Sequence, residues 1–235
     1  MIGVPTEADE RRVTIERAVR TSVEPSMRVL ETAAAFGLGV DEERTISVVP
    51  RTEVAIPQGG VVFVTGPSGG GKSTILRLID EACGERGWPV VRFDVLPELE
   101  ERPLVDLFEG PGLDLAAATK LLAMAGLGDA FVMLRMPGEL SDGQRYRLKL
   151  AQTMALAAEG ANVGAEASCV VLADEFGATL DRTTAMNVAR NAARWARRSG
   201  HALVCATTHD DLLEALEPEV LVYKGLGETI EVVRR

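Results

Sequence analysis

A chain of 235 residues with 46% hydrophobic content can bury a sizeable core, and no run approaches the roughly 20 apolar residues of a membrane-spanning helix. Its net charge of −10 opposes a generic phosphate-backbone binder, which normally presents a basic face, so direct nucleic-acid binding is disfavoured. The start "MIGVPTEADERR" lacks the basic and apolar regions of a secretory signal, which leads us to expect a cytoplasmic protein with no membrane insertion.

Residues 1–40 read as a charged tail followed by one helix, "SMRVLETAAAFGL", with Met27, Leu30 and Ala34 near one stripe. "TISVVPRTEVAIP" alternates β-branched and polar residues, as two strands interrupted by Pro50 would. The apolar strand Val61–Val64 runs into a glycine-rich turn and a helix with Ile75, Leu78 and Ile79 on its buried face. "PVVRFDVL" reads as another strand. Residues 97–158 read as a helical subdomain, in which "DLAAATKLLAMAGL" and the helix beginning at Ser141 are clearest. The apolar strand "CVVLADE", a helix from about Thr183 to Ser199, the strand "ALVCATTH" and a closing hairpin in "EVLVYKGLGETIEVV" complete the chain. Apolar strands alternating with helices predict an α/β fold with a mostly parallel central sheet over residues 41–235. The three cysteines, Cys83, Cys169 and Cys205, have no paired spacing; Cys169 and Cys205 read as small buried hydrophobes. Neither His201 nor His209 has a cysteine at metal-ligand spacing.

"GPSGGGKST" satisfies G-x-x-x-x-G-K-[ST] between strand and helix. Gly66, Gly69, Gly70 and Gly71, with Ser68 and Thr74, let backbone N–H groups curl around phosphate oxygens, and the helix N-terminus adds its dipole. Lys72 brings a point charge to the β and γ phosphates, and Ser73 a hydroxyl for Mg²⁺. At the end of "CVVLADE", Asp174 is placed to hold Mg²⁺ and Glu175 to polarise an attacking water. His209 ends the next strand, within possible reach of a γ-phosphate. "GELSDGQRYR" (residues 138–147) gathers a hydroxyl, a glycine and an amide at a helix start, an arrangement suited to anion oxygens.

In this order the segments resemble the ATP-binding-cassette (ABC) ATPase superfamily over roughly residues 44–224: "GPSGGGKST" its Walker A, "LSDGQ" its signature, "CVVLADE" its Walker B and catalytic glutamate, "ATLD" its D-loop and His209 its switch histidine. The resemblance implies a P-loop NTPase of ABC type, with a mostly parallel sheet, a small antiparallel β part and a helical subdomain. It further implies ATP and Mg²⁺ as ligands, ATP hydrolysis, and a head-to-tail homodimer. In that dimer Ser141, Gly143 and Gln144 meet the partner's nucleotide, and Asp181 couples the two sites.

Departures accompany the likeness. Residues 40–60 contain no aromatic to stack on adenine, leaving Arg44 or a nearby aliphatic for that place. Asp94 stands where a glutamine would end the strand and becomes a candidate Mg²⁺ ligand; "DEF" replaces Asp-Glu-Pro. "LSDGQRYR", "DEFGATLDRTTA" and "TTHDDL" resemble a branch of ABC-type ATPases linked to predicted GNAT-type acetyltransferase domains. The expected role is an ATPase whose closure acts on a protein partner, an acetyltransferase or nucleic-acid-processing protein among the candidates. The alternatives are the nucleotide-binding subunit of a transporter and a nucleotide-gated scaffold. The arginines at 190, 194, 197 and 198 lie near one helix face, either solvated or facing an acidic partner. Arg145, Tyr146, Arg147 and Lys149 read as ordinary surface or as dimer interface.

Overall fold

Short apolar strands set the architecture. The computed structural model describes residues 11–22, 26–37, 43–109, 114–163 and 168–235. Its elements are β1 (Arg11–Ser22), α1 (Met27–Ala35), β2 (Glu43–Ile56), β3 (Val61–Thr65), α2 (Lys72–Glu85), β4 (Val90–Arg92), α3 (Leu115–Met124), α4 (Ala130–Met133), α5 (Asp142–Val163), β5 (Val170–Ala173), α6 (Arg182–Ser199), β6 (Ala202–Ala206), α7 (Leu213–Leu216), β7 (Val220–Lys224) and β8 (Ile230–Arg234).

The main sheet has the order β4-β5-β6-β3-β7-β8; its first five strands are parallel, and β8 closes it as an antiparallel hairpin with β7. Both faces are covered, which explains why β3, β5 and β6 are buried along their whole length and apolar except at Thr65. Successive side chains divide between two cores. Val61, Phe63, Val171, Leu203 and Cys205 pack with α3, α5, α6 and α7, whereas Val62, Val64, Leu172 and Val204 pack with α2 and the β1–β2 ribbon. All three cysteines are buried and free, in line with the sequence.

The N-terminal region departs from its expectation. Residues 11–22 are a strand, not a tail, and pair antiparallel with β2. Val13 and Ile15 point into the core while Thr14 and Glu16 face solvent. Pro50 interrupts nothing: β2 is one strand through it, because the register shifts between Ile15 and Arg17 leave Pro50 in an irregularity where no ladder N–H is needed. The helix after Pro25 forms, capped by the Ser26 hydroxyl, but it buries no side chain. Residues 1–10 and Gly39 lie outside the described residues.

The C-terminal ends of the neighbouring strands β5, β6 and β3 open on one side of the sheet. That edge is where open α/β sheets place their ligands. Leu104, Phe108, Leu121, Leu122, Leu127 and Leu140 join α3 and the start of α5 to the core that holds Val61 and Phe63.

Candidate functional site

The turn after β3 is shaped by close backbone approach. A Cβ on Gly66 would lie 2.0 Å from the carbonyl oxygen of Lys224, and Gly66 has φ 138°, so only glycine fits there. Lys224 holds its own place: its buried ammonium donates to the carbonyls of Gly225 and Gly227 at 2.8 and 2.6 Å. The loop then delivers the N-terminus of α2, with Gly71 as N-cap and Lys72 as first residue. Lys72 curls back to donate from Nζ to the carbonyls of Gly66 and Pro67, both at 2.9 Å. Carbonyl partners of this kind exchange readily for phosphate oxygens, which carry full charge.

A cavity of about 480 Å³ opens in front of this loop, lined by Ser68, Gly69, Gly71, Lys72, Ser73 and Thr74 from one side and Asp174, Glu175, Ala178, Thr207 and Thr208 from the other. Free N–H groups at a helix start, a cation, a hydroxyl and a carboxylate therefore face one space. This donor set fits a triphosphate with a hard divalent cation. A neighbouring cavity of about 230 Å³ brings Ser73, Asp94 and Asp174 together with Asp80 and Arg92. Asp94 is already engaged there: the Arg92 guanidinium donates to it at 2.8 and 3.3 Å, and this bond holds its carboxyl below the usual range. An ion at this place would share the Asp94 carboxylate with Arg92 or displace it.

Glu175 is one of two non-glycine residues with positive φ among those described, at 49°. Its backbone N–H donates to the Asp174 carboxylate at 2.9 Å, the Phe176 N–H to the Ala206 carbonyl at 2.8 Å, and the Gly177 N–H to the Tyr146 hydroxyl at 2.8 Å. Its carboxylate is exposed and has no hydrogen bond or ion pair among the described residues. A left-handed non-glycine residue at the mouth of a ligand cavity is a strained conformation of the kind functional sites retain.

Ser141 and Gln144 form a capping box. The Gln144 N–H donates to Ser141 Oγ at 3.4 Å, and the Ser141 N–H to Gln144 Oε1 at 3.0 Å. Accepting a bond in this way leaves the Ser141 O–H free to donate outward. Asp142, in the first turn of α5, pairs with Arg145 at 3.6 Å and is almost wholly exposed; there it favours the positive helix end. The Arg147 guanidinium ties the Gly143 carbonyl, at 3.0 Å, to that of Gly126, at 2.7 Å. Arg147 is thus a brace for the signature, and Tyr146 is buried; neither is ordinary surface.

Asp181 caps α6 by accepting from the Thr184 N–H at 3.0 Å, and hydrogen bonding to Thr184 lowers its carboxyl pKa. His209 follows Thr207 and Thr208 at the rim and is exposed; its N–H donates to Thr207 Oγ1 at 3.2 Å. Two acids missed by the sequence reading brace its loop: Asp210 accepts from the Thr65 hydroxyl, and Asp211 pairs with Arg182. The doubled acid directly after His209 was the available signal. The side chain of Arg44 falls outside the described residues. The arginine face of α6 is split: Arg197 bonds Glu219 and the carbonyls of Leu216 and Glu217, while Arg194 and Arg198 line a shallow groove with Trp195 and Lys120.

A phosphate-binding loop at the end of a parallel strand, faced by Asp174 and Glu175 from the second strand over, defines a P-loop nucleoside-triphosphatase site. No family model matches the chain. It is 26% identical to the lipoprotein-releasing system ATP-binding protein LolD of Novosphingobium aromaticivorans, over 87% of this chain and 99% of that protein. It is 27% identical to the sulfate/thiosulfate import ATP-binding protein CysA of Thermosynechococcus vestitus, over 79% of this chain and 60% of that protein. Its fold matches the ATP-binding cassette MJ0796, solved as a dimer in a post-hydrolysis state with ADP and Pi, at a TM-score of 0.58 and 19% identity over 95% of this chain and 100% of that one. The chain is thus similar in sequence to ATP-binding proteins of two different systems and shares the fold of an ATP-binding cassette.

Proposed function

We propose that the chain binds Mg-ATP between its phosphate loop and the Asp174–Glu175 turn, and hydrolyses it in a head-to-tail dimer. The observation that carries this reading is an incompleteness. The 480 Å³ cavity holds the phosphate loop and Glu175, yet Ser141, Gly143 and Gln144 do not line it. Their donors sit at the start of α5, half-buried or exposed, with the Ser141 O–H unspent. A second copy supplies the missing wall, as the dimeric state of the structural relative suggests.

In this arrangement Lys72 and the α2 N-terminus would neutralise the β and γ phosphates, and Ser73 and Asp174 would hold Mg²⁺, which screens the charge that develops on phosphoryl transfer. Glu175 would orient and deprotonate the attacking water, His209 would reach the γ-phosphate from the rim once its loop closes, and Asp181 would pass the state of one site to the other. Asp94 would serve as an auxiliary Mg²⁺ ligand, in competition with Arg92 for its carboxylate.

The work done by closure is directed at a protein partner. Phe131, Leu134 and Met136 expose apolar surface along one stretch, which the Leu104 N–H bond to the Arg135 carbonyl at 2.9 Å ties to the 3-10 helix Leu104–Phe108. Such a patch suits a protein contact. The names of the relatives favour a second reading, in which that partner is a membrane protein and the chain is a transporter's ATP-binding subunit. Among the described residues no helix is long and apolar enough to cross a membrane itself. The acetyltransferase-linked reading rests on the sequence stretches alone.

The test is Ser141→Arg. A bulky cation at the α5 start should abolish turnover while each monomer still binds Mg-ATP, measured by calorimetry. Turnover equal to the wild type would remove the signature from the mechanism.

A further inference from the structure

Three aromatic rings from three separate segments meet behind the Glu175 turn. Phe93, from the end of β4, lies 4.9 Å from Tyr146 between ring centroids, and Phe176 lies 6.4 Å from Tyr146 in an edge-on arrangement. All three are buried. Tyr146 belongs to α5, five residues beyond Ser141, so it sits on the helix that the Ser141–Gln144 capping box begins. Its hydroxyl accepts the Gly177 N–H at 2.8 Å.

The Glu175 carboxylate has no hydrogen bond or ion pair among the described residues, so what the protein fixes is the backbone turn from which that side chain starts. That backbone is held in a left-handed conformation which a non-glycine residue does not keep unaided. The holding bonds come from Asp174, from the Ala178 N–H to the Glu175 carbonyl at 3.0 Å, from Ala206 of β6 and from Tyr146. The first three are internal to the turn, the sheet and its edge. Among these four, Tyr146 alone belongs to α5.

We propose that Tyr146 is a positioning residue for Glu175: its hydroxyl fixes the turn that aims the carboxylate, and so makes hydrolysis in one protomer depend on where that protomer's signature helix stands. Because the signature serves the partner's nucleotide, engagement of the partner's ATP is felt at this protomer's own Glu175. The link is local, one helix and one hydrogen bond, with ring packing against Phe93 and Phe176 keeping Tyr146 in place. The inference rests on the ATPase reading above.

Tyr146→Phe removes a single oxygen and keeps the rings, so the fold persists, as thermal unfolding will verify. The buried Gly177 N–H then lacks its acceptor. We expect kcat to fall at least tenfold with KM and the dissociation constant for Mg-ATP within twofold of the wild type. We also expect Gly177 amide hydrogen exchange to quicken at least tenfold while β3 amides are unchanged. In a Glu175→Gln background the same change should lower the residual rate less than twofold. An unaltered kcat, an unaltered Gly177 exchange, or an equal loss in both backgrounds would overturn the proposal. A wild type silent with Mg-ATP would instead refute the ATPase reading, and Gly177 exchange would still decide whether Tyr146 holds the turn.

Discussion

Alanine at Gly66 and alanine at Gly69 are the same chemical change in one loop, and the structure assigns them different costs. At Gly66 the new methyl would sit 2.0 Å from the Lys224 carbonyl oxygen, a distance at which backbone must move. Lys224 resists, since β7 is hydrogen-bonded in the sheet and its ammonium is tied to Gly225 and Gly227. Overpacking of this kind costs about 1–3 kcal/mol, and backbone strain at φ 138° adds about 1–3 kcal/mol. Gly69, at φ 74° with nothing within 4 Å of its Cβ position, incurs the left-handed penalty alone, about 1–2 kcal/mol. Urea unfolding should therefore show Gly66→Ala less stable than Gly69→Ala by about 2 kcal/mol, or roughly 30-fold in the folding constant. If the loop yields instead, that free energy is lost from ATP affinity, so each variant is also titrated with Mg-ATP. Equal stability and equal affinity for the two variants would refute the assignment of Gly66 as a site of forced backbone approach.

Two further predictions concern the scaffold. Arg197→Ala strips partners from Glu219 and from the carbonyls of Leu216 and Glu217; with a third of the side chain exposed, solvent recovers part of the loss, and about 1.5–3 kcal/mol of stability should go. The exposed Arg198→Ala should change it by under about 0.5 kcal/mol, and equal costs would contradict the network. His201 is buried and its Nδ1 accepts the Cys169 N–H at 3.2 Å, and burial holds its pKa below 6.5. The unfolded chain then takes the proton first, so this contribution is complete above about pH 6.5 and is lost as pH falls toward the folded value. Between pH 7 and 5 the wild type should lose more stability than His201→Asn, which retains an acceptor but does not titrate; matching pH profiles would contradict this.

What the sequence reveals depends on how local the determining physics is. The phosphate loop was legible because each residue type there answers a nearby demand, from the close approach at Gly66 to the left-handed N-cap at Gly71. The α6 boundaries were legible for the same reason: Asp181 caps one end and Gly200, with φ 77°, closes the other. β1 was missed because the Val13 and Ile15 alternation is short and then thrown out of phase by the register shifts opposite Pro50. Its charged residues resemble a tail until β2 is known to pair with it. Asp94 looked free for a cation because Arg92, two residues earlier on the same strand end, was not weighed as its partner. Tyr146 looked like surface because its partners, Phe93 and Gly177, are 53 and 31 residues away in sequence. Asp142, the acid within the "LSDGQ" stretch, sits in the first turn of α5 beside Arg145, 3.6 Å away.

The central claim is that two chains close on ATP and that Glu175 limits the life of the closed state. Glu175→Gln keeps the shape of the side chain and removes the base, so the protein should bind Mg-ATP and stay closed. Light scattering at saturating Mg-ATP should then give twice the 25.1 kDa mass of the chain, reverting to the single mass when nucleotide is removed. A Glu175→Gln protein that binds Mg-ATP yet remains at 25.1 kDa would contradict the account.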